Sequence, residues 1–187
     1  MQSVAPRLDL TIVIAATPGR VLKAFFEHEA LGAWWQVVRS VTTPRALGPY
    51  VIEWAPTHFR DEVLGRLGGV FRGTVMQFQA GRGFFVADAF WLPPDGDPIG
   101  PMALEVTCAP VGDARRVRLK PDATTATADA TRATPDATGA TPDPAVATRL
   151  HVTQSGFEES VRWRRYYEVV GHGWERALTS LKALLEK

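Results

Sequence analysis

The longest run of regular hydrophobic spacing lies at the C-terminal end of the chain. From Phe157 to Lys187, Trp163, Tyr166, Tyr167, Val170, Trp174, Ala177, Leu178, Leu181, Leu184 and Leu185 follow the i, i+3, i+4, i+7 spacing of one helical face. Glu159, Arg162, Arg165, Glu168, Glu175, Arg176 and Lys182 take the opposite face. The stripe persists for about six turns. Such a helix must bury its dry side against a partner, and the upstream pattern supplies one. Leu8, Leu10, Ile12 and Ile14 alternate with Asp9, Thr11 and Val13 as in a half-buried strand. Thr17-Pro18 then reads as an N-cap with proline at the first helical position, starting a helix that groups Val21, Leu22, Phe25 and Phe26. Glu29 to Trp35 is predicted as a second short helix, weakened by Gly32.

From about residue 47 the pattern becomes strand-like. Gly48-Pro49 marks a turn, after which Tyr50, Ile52 and Trp54 alternate with Val51 and Glu53. Residues 56–67 are polar and irregular, predicting a loop. Gly69 to Gln79 and Phe84 to Leu92 are two β-rich runs joined by Ala80-Gly81-Arg82-Gly83, a hairpin. Parity fails in the second run, where Phe84 and Phe90, Phe85 and Trp91 put aromatic rings on both faces. Pro93-Pro94-Asp95-Gly96 closes it with turn chemistry. Met102, Leu104, Val106 and Cys108 alternate cleanly with Ala103, Glu105, Thr107 and Ala109, and Leu150 and Val152 with Arg149, His151 and Thr153. The predicted order is strand, two short helices, antiparallel strands, long helix: an α+β domain over residues 8–187 with about six or seven strands.

Residues 120–147 differ in kind. Motifs beginning at Asp122, Asp129, Asp136 and Asp143 recur every seven residues (DATTATA, DATRATP, DATGATP, DPAVATR). A coiled coil is excluded, because only Ala is available for the core positions and Pro135, Pro142 and Pro144 break helices. Without large side chains the segment cannot offset an ordering cost of roughly 1–2 kcal/mol per residue. The composition predicts a disordered, low-complexity insertion in the loop between the last two strands.

Composition narrows the function. The 187 residues carry 21 basic and 20 acidic side chains, so bulk electrostatics give no case for nucleic acid. No window is apolar enough for a membrane span and no signal-peptide pattern opens the chain. The single Cys108 fits a reducing, cytoplasmic setting. His28, His58, His151 and His172 show no metal-site spacing, and no nucleophile elbow, phosphate loop or dinucleotide fingerprint is present. The glycines from Gly65 to Gly73 sit in a strand-forming hairpin, the wrong context for phosphate binding. Parity turns Glu53 and Glu105 to solvent and leaves Asp88 undecided. No catalytic residue, metal or cofactor is therefore predicted.

Several local motifs, in this order, resemble the SRPBCC or START-like (Bet v 1-like helix-grip) superfamily, in its branch related to the C-terminal domain of the activator of Hsp90 ATPase. They are Ile12-Val13-Ile14-Ala15-Ala16-Thr17-Pro18, Leu31 with Trp34-Trp35, Gly48-Pro49-Tyr50 leading to Trp54, Gly73-Thr74-Val75, Thr148-Arg149-Leu150 to Gly156-Phe157, and Gly173-Trp174 with the leucines that follow. The resemblance implies a curved antiparallel sheet wrapped around the C-terminal helix, with an apolar cavity between them. Its expected wall is Tyr50, Ile52 and Trp54; Met102, Leu104 and Val106; Leu150 and Val152; and, from the helix, Trp163, Tyr166, Tyr167, Val170 and Trp174. Trp34 and Trp35 either close one end of that cavity or serve as core aromatics.

Three readings follow: non-enzymatic binding of a small hydrophobic molecule, lipid-like or aromatic; a cyclase, aromatase or hydrolase-like enzyme in the same cavity; or chaperone-activator-like protein interaction. Monomer and homodimer are both compatible with the sequence. Because loop lengthening costs only about 0.6 kcal/mol per doubling, deleting residues 122–144 is expected to leave the melting temperature within a few degrees. A large loss in a thermal scan would mean that the repeat is packed.

Overall fold

The computed structural model of the protein describes residues 6–111 and 146–187. The N-terminal alternation forms strand β1 (Leu8–Ile14), with Leu8 and Ile14 buried and the polar positions outward. Thr17 caps α1 (Pro18–Lys23) by accepting from the Arg20 N–H at 3.4 Å. Helix α2 (His28–Trp35) runs through Gly32 and stops at Gln36, whose left-handed φ of 58° lets its N–H return to the Leu31 carbonyl.

The chain then enters β2 (Val37–Thr42), a strand the hydrophobic pattern did not predict. The reason is local. β2 is an edge strand with only Val37 buried, while Val38 and Val41 are exposed, so no period of two exists to be seen. β3 (Gly48–Trp54) follows, then a small ribbon of β4 (Arg60–Asp61) and β5 (Gly65–Arg66) inside the segment expected to be irregular. β6 (Gly69–Gln79), β7 (Gly83–Leu92), β8 (Ile99–Val111) and β9 (Ala147–Ser155) complete a curled antiparallel sheet of order β1-β9-β8-β7-β6-β3-β2. β8 is longer at both ends than its predicted span. β8 and β9 pair as far as Val111 opposite Ala147. The connection between them carries nearly all of the heptad repeat, which lies outside the described residues.

The ambiguous parity of β7 has a structural cause. Pairing with β8 slips between Val86 and Ala89, where Asp88 takes a left-handed φ of 50°. This bulge inserts one extra residue and exchanges the two faces. Phe84 and Val86 before it, and Ala89 and Trp91 after it, therefore all point inward. Phe90 lies outward beneath the Arg72 guanidinium, 5.9 Å from its ring centre, and Asp88 is in solvent. β6 carries a matching irregularity between Val75 and Gln77. Two neighbouring bulged strands bend the sheet.

Helix α3 spans Val161–Leu185, starting four residues later than the Phe157 predicted from periodicity. Gly156 sits at a φ of 109°, with Met102 and Pro101 so close that a Cβ would lie 2.8 Å from their atoms, and this ends β9 in a turn. Ser160 then caps the helix, its hydroxyl accepting from the Trp163 N–H at 3.2 Å. At the other end Lys182 donates to the Val13 carbonyl at 2.7 Å, and the Glu186 carboxylate accepts from the Ala15 N–H at 2.8 Å. Leu178, Leu181 and Leu185 pack into the core between these clasps. No helix among the described residues is long and apolar enough to cross a membrane.

Gly73 shows how tightly the bend is packed. A Cβ there would lie 2.5 Å from Val86 Cγ1 and 3.0 Å from Ala89 Cβ. Gly73→Val is expected to destabilise the fold by about 1–3 kcal/mol through overpacking. Urea unfolding measures this, and an unchanged midpoint would refute the close fit.

A tryptophan-walled cavity under the C-terminal helix

Between the bent sheet and α3 lies a cavity of about 550 Å³. Its wall contains Trp34, Trp35, Trp54, Trp91 and Trp174, joined by Phe71, Leu104, Tyr166 and Val170. The indoles brace one another. Trp35 stacks on Trp34 at 4.8 Å between ring centres, meets Trp174 at 4.3 Å and Trp54 edge-on at 5.1 Å. The backbone also fixes them. Trp34 donates to the Ala24 carbonyl, Trp54 to that of Trp35 and Trp91 to that of Gly68, all at 2.8–2.9 Å. With those N–H groups engaged, the rings offer the cavity their carbon faces.

One buried polar group interrupts this wall. Gln154, 2% exposed, lies on the inward face of β9 in register with Leu150 and Val152. The Trp174 indole N–H can only donate, and it meets Gln154 Oε1 at 3.3 Å. The Gln154 amide nitrogen is thereby turned toward the Tyr166 hydroxyl, to which it donates at 2.7 Å, and toward the Met102 sulfur. The Tyr166 oxygen thus accepts, leaving its own hydrogen for the Met102 sulfur at 3.4 Å, a weak acceptor, or for something better. Burial pushes the Tyr166 hydroxyl pKa well above the ordinary tyrosine value, outweighing the Gln154 hydrogen bond, so it remains a protonated donor.

The segment from Ala55 to Gly68 forms one side of the mouth, contributing Ala55, Thr57, Leu64, Leu67 and Gly68. Within this polar segment, expected to be an irregular loop, Asp61 and Leu64 are both 3% exposed. Asp61 Oδ1 accepts the N–H groups of Val63 and Leu64 at 2.9 and 3.0 Å, and Oδ2 accepts two N–H groups of Arg165 on α3 at 2.8 and 2.7 Å. The Arg165 hydrogen bond, with help from those two backbone donors and against burial, holds the Asp61 carboxyl down at about 2. Arg60 and Arg66 tie the same segment to Asp95 beyond β7. The loop is strapped to the helix.

Among the residues expected to form the wall, Trp34, Trp35, Trp54, Leu104, Tyr166, Val170 and Trp174 line the cavity. The others do not. Tyr50 and Ile52 are fully buried further along β3, where the Tyr50 ring packs against Phe26, Phe71 and Phe84. Met102 lies behind Gln154, and Val106, Leu150 and Val152 fill the core beyond it. Trp163 stacks on Tyr167, whose hydroxyl donates to the Gly156 carbonyl at 2.6 Å, and together they seal the start of α3. The cavity instead extends down the helix to Gly173, Arg176, Ala177 and Ser180. His172 points to solvent, and no cluster of metal-ligating side chains exists among the described residues. Sequence reasoning missed Gln154, although a polar residue at an inward strand position is a readable signal. Trp91 was hidden by the bulge, and Leu64 by the irregularity of its loop.

Solved structures share this arrangement. A protein from Rhodobacter sphaeroides superposes with a TM-score of 0.60 over 98% of this chain and 93% of its own, at 15% identity. An AHSA1 protein from Silicibacter pomeroyi gives 0.58 over 96% and 97%, at 14% identity. The solution structure of an Aha1 dimer from Colwellia psychrerythraea gives 0.53 over 97% and 96%, also at 14%. The chain has the Aha1-like helix-grip fold. At these identities the likeness is one of fold. No protein-family model and no curated protein matches the sequence.

Within this helix-grip fold the Asp61–Arg165 strap carries a pH signature. A carboxyl whose folded-state pKa is depressed contributes stability above its ordinary value, here 3.8, and loses it as pH falls through about 2. Asp61→Asn is expected to cost about 1–3 kcal/mol near neutral pH. That difference from wild type should shrink across the window from 3.8 to about 2. Urea titrations of both proteins along this pH series test it, and a pH-independent difference would remove the charge from the explanation.

Proposed function

We propose that the protein binds a small, mainly apolar molecule in the cavity between sheet and α3, without transforming it. The observation that carries this reading is a cavity of about 550 Å³ walled by braced indoles, with the Tyr166 hydroxyl at its inner wall. That volume falls in the usual range for small-molecule sites, and an apolar wall with few placed polar groups is their usual chemistry. Flat tryptophan faces favour an aromatic or polycyclic body, and the Tyr166 hydroxyl, whose hydrogen meets the weak Met102 sulfur acceptor, favours an oxygen acceptor at its inner end.

The enzymatic alternative requires an acid–base pair in the cavity. The titratable groups on the described wall are Tyr166, whose pKa burial raises, and Arg176, so binding is the better-supported reading. The chaperone-activator alternative draws on the fold shared with Aha1 alone, and a shared fold does not transfer a partner. A single domain over residues 8–187, monomeric or paired like the Colwellia protein, suffices for binding. Burial raises the Cys108 thiol to about 12, which keeps it protonated and a poor nucleophile.

Gly173 provides the test. It lines the cavity in mid-helix, and a Cβ there would meet nothing within 4 Å. The neutral probe N-phenyl-1-naphthylamine is expected to bind one-to-one and quench tryptophan emission. Gly173→Ala should raise stability by about 0.5–1 kcal/mol through helix propensity and leave binding nearly intact. Gly173→Phe should fold equally well and weaken the probe at least tenfold. Absence of saturable binding to wild type, or full binding to Gly173→Phe, would overturn the proposal.

A further inference from the structure

Among the described residues lining the cavity, one carries a formal charge: Arg176. It is exposed, whereas Leu104, Gln154 and Tyr166 at the inner wall are buried, so the charge stands at the mouth. Gly173, Arg176, Ala177 and Ser180 form one row along α3, because residues three and four apart share a helical face. The open space in front of Gly173 therefore lies one turn from the guanidinium. Carboxylates of α3, β3 and β4 are engaged elsewhere. Glu175 faces His172 at 3.6 Å, Glu168 and Asp61 both bind Arg165, and Glu53 faces Arg39 at 4.0 Å. Among the described residues no carboxylate pairs with Arg176.

We infer that the ligand is an amphipathic monocarboxylate, its apolar body among the tryptophans and its carboxylate at the mouth against Arg176. This rests on the reading of the cavity as a binding site and narrows it to a ligand class. A carboxylate cannot descend into the neutral wall, where no cation would compensate its lost hydration. At the mouth it stays partly hydrated and meets a planar guanidinium suited to two parallel hydrogen bonds. A cationic amphiphile of the same shape would meet only like charge there. Tyr166 and Arg176 thus divide the work, the first accommodating a neutral oxygen inside and the second holding the acid at the rim.

Three compounds with one apolar body separate the possibilities: pyrenebutyrate, pyrenebutanol and pyrenebutylammonium, each used to displace N-phenyl-1-naphthylamine near neutral pH and low salt. The carboxylate is expected to bind about five- to tenfold more tightly than the alcohol, and the ammonium more weakly than both. Arg176→Gln should abolish the advantage while changing alcohol affinity by less than about twofold, and Arg176→Glu should invert the order. The advantage should also shrink at high salt, as an interaction at a solvent-facing rim must. Equal binding of acid and alcohol to wild type, or an advantage that survives Arg176→Gln, would overturn this inference and leave the binding cavity standing. If neither the neutral probe nor the alcohol binds, the cavity reading falls with it.

Discussion

A straight helix held inside a bent sheet is the constraint from which the rest of the structure follows. α3 is fixed at both ends. Leu178, Leu181 and Leu185 and the Lys182 and Glu186 clasps anchor its C-terminal end to β1, while Trp163 and Tyr167 seal its start against the Gly156 turn. Between those anchors β6 and β7 carry bulges, which bend the sheet. The α3 backbone packs near α2 and β1. Side chains must span what the backbones leave open, and aromatic rings are the longest apolar side chains available.

Rings alone would be free to slump into that space, since interiors otherwise pack at crystal-like density. Here each is held from behind. Trp34, Trp54, Trp91 and Trp174 all have their N–H groups tied, and Trp35 is clamped between Trp34 and Trp174. The Asp61–Arg165 strap keeps Leu64 and Leu67 at the opposite lip. Gly173 adds to the opening by having no side chain, at a helix cost of about 1 kcal/mol relative to Ala. These devices act together to keep space open, which is preorganisation for a guest.

The sequence made the outer frame legible because the frame is periodic. The α3 stripe, the alternation of β1, β8 and β9, and the Thr17-Pro18 cap all appear where the pattern placed them. What escaped notice is aperiodic. β2 has one buried residue and hence no alternation, and the Asp88 bulge scrambles β7 because one inserted residue reverses every side chain beyond it. Wall positions proved harder than core positions for the same reason. Strand parity identifies the face that turns inward, but Tyr50, Ile52, Val106 and Val152 share that face with Leu104 and are simply buried. Whether an inward residue meets core or cavity depends on its position along the bend, which parity does not encode.

The polar groups around the cavity differ in how far their hydrogen-bonding capacity is spent, and this separates support from recognition. Asp61 has both carboxylate oxygens filled, by two backbone N–H groups and Arg165, and has nothing left for a ligand. Gln154 has its oxygen matched to Trp174 and its nitrogen to Tyr166 and Met102. Losing Gln154 would leave buried partners unpaired, at about 1–3 kcal/mol for such a group. Both residues therefore act by positioning others. Tyr166 retains a hydrogen matched to a weak sulfur acceptor, and among the described residues no carboxylate takes up the Arg176 fork. Donors with capacity to spare, one inside and one at the rim of a mainly apolar wall, describe the complement of a molecule with an oxygen at each end and little polarity between.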